Sequence, residues 1–240
     1  MKNFKSKYIP ALAIMSSLIL AGCSDDDDDK DVVTPEPEVV VPVNVSYEVT
    51  VTNLTNAQPL SPVAVILHDT GSLWTIGESA STALETMAEG GDNSELLALE
   101  IVTASVSGAA PLGSGATETL TVTIEDQTDA MLSLATMLVN TNDGFTGLSN
   151  IDLSGLSVGD TWSSYTSVYD AGTEGNSEAE GTIPGPADGG TGFEAERDDV
   201  DFVGMHSGVV SMDDGLATSV LTQAHKFDNP AAYVVIKRME

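Results

Sequence analysis

From residue 45 onward the chain is built of short runs in which apolar and polar side chains take turns. In "VSYEVTVTNLT", Tyr47, Val49 and Val51 alternate with Glu48, Thr50 and Thr52, the period-two pattern of a strand with one buried face. "SPVAVILHDT" has instead a continuous apolar middle, which predicts a more deeply buried strand. Alternation returns in "IVTASVSG", "TETLTVTIE" and "MLSLATMLVN", separated by Gly/Pro/Ser- or Asp-rich turns, and the chain closes on the β-branched "AAYVVIKRME". One stretch has a different period. "GESASTALETMAEGGDNSELLALEI" places Ala80, Leu84, Met87 and Ala88 at helical spacing and stops at Gly90 and Gly91, predicting one or two short helices. "DNSELLALEIV" likewise has apolar spacing suited to a helix packed on a sheet. From residue 140 to about residue 200 only "TWSSYTSVY" reads as a strand, and the rest reads as long loops.

Seven or eight short strands with one helical insertion predict an all-β fold, an antiparallel β-sandwich over residues 45–240. That length suffices for a core without disulfides, and the single cysteine, Cys23, precedes it. The N-terminus has a different character. Lys2, Lys5 and Lys7, the apolar run "YIPALAIMSSLIL" and then Leu20-Ala21-Gly22-Cys23 have the layout of a secretory signal peptide rather than a membrane span. The last four residues resemble the bacterial lipobox, which implies removal of residues 1–22 and acylation of Cys23. Several acyl chains anchor a protein stably where one does so only marginally. Residues 23–44 carry five consecutive aspartates followed by Pro35, Pro37 and Pro42, a self-repelling, extended tether. Ser24 beside the cysteine resembles outer-membrane delivery, and the acidic stretch resembles some surface-export signals. The expectation is an exported lipoprotein of the outer membrane, with exposure on the cell surface as a further step.

Loss of residues 1–22 leaves five basic residues against 37 acidic ones, a net charge of −32. Nucleic acid and anionic headgroups are repelled by such a chain, and cations are attracted. No glycine-rich phosphate loop, HExxH, CxxC or GxSxG pattern occurs. Two polar loops carry the candidate chemistry. In "LATMLVNTNDGFTGL" an apolar run ends in Asn140, Asn142 and Asp143, followed by Gly144, Phe145 and Gly147. In "YDAGTEGNSE", Asp170 and Glu174 stand four apart with Gly172 and Gly175 beside them. Glycines there prevent a regular helix and let carbonyls turn inward. Calcium takes six to eight such oxygens, from carboxylates, carbonyls and water. Carboxylates held close together without a counter-ion raise one another's pKa, so a divalent cation is favoured. The same spacing also makes an ordinary acidic turn, and it is not the EF-hand pattern.

The segments "YEVTVTNLTNAQPLSP", "HDTGSLWTIGESAS", "LATMLVNTNDGFTGL", "DAGTEGN" and "LTQAHKFDNPAAYVVIKR" occur in an order that resembles the spondin N-terminal domain, in a bacterial lipoprotein form. The resemblance runs from Tyr47 to Arg238. It implies a C2-like antiparallel β-sandwich of extracellular-matrix and adhesion proteins, with a calcium ion at one end. Animal members have an aspartate in an "SPDWxxG" loop and a later "DAGTD" loop. The first falls on Asp143, the others on Asp170 and Glu174, where glutamate replaces aspartate. The animal tryptophan is replaced by Gly144 followed by Phe145, and the animal cysteines are absent.

Other conspicuous residues have plainer readings. His68, His206 and His225 each end an apolar stretch, as hydrogen-bonded structural histidines do. Trp74 and Trp162 are expected in or beside the core, Phe145 in simple loop packing. "ERDDVDF" reads as a solvated face, one of whose carboxylates is in reach of supporting the metal loops. The expected protein is therefore a non-enzymatic, calcium-binding adhesion or matrix domain. Its partners would be the membrane, through lipid on Cys23, and a protein or polysaccharide surface, but not nucleic acid. The alternatives are a metal-assisted hydrolase using the same carboxylates with His206 or His225 as base, and an ion-free structural envelope protein.

Overall fold

The computed structural model describes residues 44–125 and 131–240. The expected signal peptide, the expected lipid attachment at Cys23 and residues 23–43 of the expected tether lie outside the described residues; Asn44, its last residue, opens β1. In chain order the elements are β1 (Asn44–Asn53), β2 (Ala64–His68), α1 (Thr82–Gly90), α2 (Ser94–Leu97), β3 (Val102–Ser107), β4 (Thr117–Glu125), β5 (Met131–Met137), β6 (Gly144–Asp152), β7 (Thr161–Asp170), β8 (Gly204–Met205) and β9 (Ala232–Arg238). The fold is all-β, as the alternating segments predict.

The strands form one antiparallel path, β3-β2-β5-β6-β7-β9-β1-β4, with β8 beside β7. Strand β7 is shared by both halves of this path. Its residues Thr161–Thr166 pair with β9, whereas Ser167, Val168, Tyr169 and Asp170 pair with β6. Where β7 leaves β9, β8 takes up its free side at Tyr169 and Asp170. The path thereby folds over itself into a sandwich, and its two end strands, β3 and β4, come close enough to make it nearly closed. Tyr47, Val49 and Val51 of β1 face the interior, where they meet Val65 and Leu67 of β2 and Leu132 and Leu134 of β5. Glu48, Thr50 and Thr52 stay partly exposed.

Strand β2 is covered on both faces because a second apolar layer lies outside the sandwich. Ile66, Met137 and Phe145 there pack against Leu84, Met87 and Ala88 of α1. Ser81 caps that helix by accepting from the Leu84 N–H at 3.2 Å. Helix α2 is a single turn, shorter than the apolar spacing suggests, because the Ala98 and Leu99 amides bond back to Glu95 and Leu96. Among the described residues no helix is long and apolar enough to cross a membrane.

The largest departure from expectation is β6. Residues 144–152, read as loop, form a nine-residue strand at the centre of the path. Gly144, Gly147, Asn150 and Asp152 lower its strand propensity; its partners β5 and β7 hold it in register. Gly147 is there for a steric reason. A Cβ at that position would lie 1.9 Å from the Leu134 carbonyl oxygen, so only glycine lets β5 and β6 approach. Phe145 is fully buried in the outer layer, with Trp74 edge-on at 5.1 Å and Tyr169 at 5.4 Å. Gly147→Ala is expected to destabilise the domain by at least about 3 kcal/mol in chemical denaturation. Gly155→Ala, where a Cβ meets nothing within 4 Å, is expected to stay within about 0.5 kcal/mol of the parent.

Candidate metal centre

The pairing of β6 with β7 sets Gly144 opposite Asp170, and the Ala171 N–H donates to the Asp143 carbonyl at 3.3 Å. The two predicted loops are thus brought together by sheet register. Residues 140–143 are buried throughout. Asn140 and Thr141 have structural roles. The Asn140 side chain donates to the Ala57 carbonyl at 2.8 Å and accepts from the Ala187 N–H at 2.9 Å. Thr141 Oγ1 donates to the Leu138 carbonyl at 2.7 Å and accepts from the Gly144 N–H at 2.9 Å, closing the turn. Asn142 reaches across to the second loop. It donates to Glu174 Oε1 at 2.7 Å and Thr182 Oγ1 at 2.9 Å, and accepts from the Glu178 N–H at 3.1 Å.

Asp143 has no exposed surface. After Asp170 the chain turns at Gly172, whose φ of 71° and whose approach to the Phe202 carbonyl, 2.3 Å from a would-be Cβ, exclude a side chain. That turn aims two amides back at Asp143. Its Oδ2 accepts from the Thr173 N–H at 2.8 Å, the Glu174 N–H at 3.2 Å and the Thr173 hydroxyl at 3.3 Å. Its other oxygen, Oδ1, is buried with no hydrogen-bond partner. Burial first, then the neighbouring Asp170 charge, push the Asp143 carboxyl up to about 7, against the pull of the two amides. Burial likewise pushes Glu174 up to about 7; the Asn142 amide opposes this, while Glu89, Asp143 and Asp198 add to it.

The three predicted residues are neighbours, but their carboxylates do not converge. Asp170 accepts from the Gly172 N–H at 2.8 Å and from Asn176 at 2.6 Å, and Glu174 is held by Asn142. Among the described residues no group of three or more His, Cys, Asp or Glu side chains is placed to hold a metal. What does fit a hard cation is the unmet oxygen chemistry: Asp143 Oδ1 lacks any donor, and like charges surround it. Calcium suits such a site because it takes carbonyl and water oxygens beside one or two carboxylates.

Glu89, whose charge acts on Glu174, is not marked by the sequence, and Asp199, whose charge acts on Asp143, is marked only as one of the carboxylates of the acidic run. Asp199 arrives on the loop whose Asp198 and Asp201 amides bond to the Thr173 and Gly172 carbonyls at 3.1 and 2.7 Å. "ERDDVDF" hinted at it only through its density of charge.

Of the histidines, His206 alone is electrostatically linked to the site, through Asp170. Its Nδ1 accepts from the Gly208 N–H at 3.0 Å, so the neutral ring carries its proton on Nε2 and has no free lone pair for a base. His68 bonds the Thr70 carbonyl and Ser133 at 3.0 and 2.8 Å, and His225 Nδ1 accepts from the Thr222 N–H at 3.0 Å. No protein-family model matches the chain, and no curated protein matches it either.

Asp143 and Glu174 hold protons more tightly folded than at their ordinary values of 3.8 and 4.5. In this range the folded state binds more protons than the unfolded state. Their contribution to stability is therefore complete below those ordinary values and is lost as pH rises through about 7. In chelator, the melting temperature of the parent should fall more steeply over this window than that of Asp143→Asn, which becomes the more stable protein at the alkaline end. Parallel pH profiles would contradict this assignment.

Proposed function

We propose that this protein is a lipid-anchored, exported domain of the spondin type. It binds Ca2+ through Asp143, with Asp170 and Glu174 turning from their hydrogen bonds to Gly172, Asn176 and Asn142 to join it, and presents an adhesive or matrix-contacting surface rather than an active site. The observation that carries the proposal is the fully buried Asp143 carboxylate, satisfied on one oxygen by two backbone amides and on the other by nothing. A divalent cation at Oδ1 would relieve its repulsion with Asp170 and Glu174 and brace the short turn between β5 and β6 against the long loop that follows β7. The ion is structural in this account. Extracellular calcium modules work with dissociation constants of roughly 0.1 to 1 mM, and calcium at a hundred times that constant stabilises the bound fold by about 2.7 kcal/mol. The all-β sandwich and the acidic composition agree with the same account, and lipid on Cys23 would place the domain at the outer membrane, facing a protein or polysaccharide partner.

Calorimetric titration of the protein with calcium is expected to give saturable binding that Asp143→Asn or Asp170→Asn weakens by at least about tenfold. Calcium should also reverse the order seen in chelator, making the parent more stable than Asp143→Asn. Absence of binding at millimolar calcium would overturn the proposal. Labelling with a fatty-acid probe tests the anchor separately: incorporation should be lost in Cys23→Ser, and persistence of the label there would contradict acylation at that residue.

A further inference from the structure

Helix α1 carries Glu85 and Glu89 one turn apart, a spacing at which like charges repel. Both side chains are buried, at 4% and 1% exposure, beneath the loop of residues 192–201. Their fates differ. Arg197 neutralises Glu85 with two hydrogen bonds, Nε to Oε1 at 3.0 Å and a terminal nitrogen to Oε2 at 2.6 Å. The same guanidinium also donates to Asp201 and to the Ala80 carbonyl, so four of its five N–H donors are committed, none of them to Glu89. Glu89 receives only the Glu194 N–H, on Oε2 at 3.0 Å. Its Oε1 is buried with no hydrogen-bond partner.

Glu89 borders the site already described. The Thr173 hydroxyl, which reaches Asp143 Oδ2 at 3.3 Å, stands close enough to Glu89 to favour its charged form without making a hydrogen bond of normal geometry to it. Glu174 feels the charges of both Glu89 and Asp143. Two buried carboxylate oxygens without donors, Asp143 Oδ1 and Glu89 Oε1, therefore flank the same pair of loop residues. An unpaired buried carboxylate is costly, and a divalent cation offsets that cost with the fewest added groups.

We propose that the cation site extends to helix α1, with Glu89 Oε1 as a further oxygen ligand, so that calcium ties the helix layer to residues 173–174 at the edge of the sandwich. This rests on the calcium reading above. It adds that the ion acts on the outer apolar layer and not only on the two loops.

The test is calcium titration of the parent, Glu89→Gln, Glu89→Asp and Glu95→Gln, an exposed control on α2, together with amide exchange over Thr82–Gly90. Glutamine keeps the side-chain length and the acceptor for the Glu194 N–H, and circular dichroism checks that the variants fold. Calcium is expected to slow exchange in α1 of the parent. Glu89→Gln should lower affinity at least about tenfold and abolish that slowing, Glu89→Asp should fall between, and Glu95→Gln should match the parent. A parent that binds calcium while Glu89→Gln binds equally well would overturn this inference and leave the loop site standing. A parent that binds none would overturn both.

Discussion

A carboxylate removed from water must find donors, a proton or a cation, and at Asp143 the backbone supplies only half of what is needed. The amides of Thr173 and Glu174 converge on one oxygen because Gly172 reverses the chain just after β7. This contact fixes where the second loop sits. From it follow the position of Glu174, the reach of Asn142 to Glu174, Thr182 and Glu178, and the docking of the 198–201 segment on residues 172 and 173. Replacing the carboxylate with an apolar group would leave the two amides without an acceptor, so the arrangement demands a polar residue there.

The sandwich places this carboxylate through one strand. Because β7 pairs first with β9 and then with β6, its last residues emerge where β6 begins, and Asp170 comes to lie beside Asp143. The outer apolar layer adds rigidity from the other side: Phe145 and Tyr169, one on each strand, pack against Trp74 under the helical insertion. Loops of low apolar content are thus fixed to a rigid frame, the condition under which a cation can stabilise a defined surface.

The parts of this design that depend on local pattern are readable in the sequence. The alternation of Tyr47, Val49 and Val51 predicts β1, the unbroken "VAVIL" predicts a more deeply buried strand, and Leu84, Met87 and Ala88 predict the face of α1. Strand β6 is not readable, because "GFTGLSNID" gains its conformation from β5 and β7. Gly147 is explained only by the Leu134 carbonyl that crosses it. Asp143, Asp170 and Glu174 were suggested by loop composition and by resemblance to the spondin domain, but their neighbourhood is a consequence of strand register. Nothing local marks Glu89 among helical carboxylates; its position depends on Arg197, distant in sequence, bonding Glu85 instead.

The central claim is that Asp143 Oδ1 faces a cation rather than a proton. A crystal structure determined in calcium, with anomalous scattering to identify the ion, tests it most directly. The account predicts an ion about 2.3–2.6 Å from Asp143 Oδ1. Density at that oxygen explained by water or by a neighbouring hydrogen-bond donor, with no anomalous signal, would contradict it.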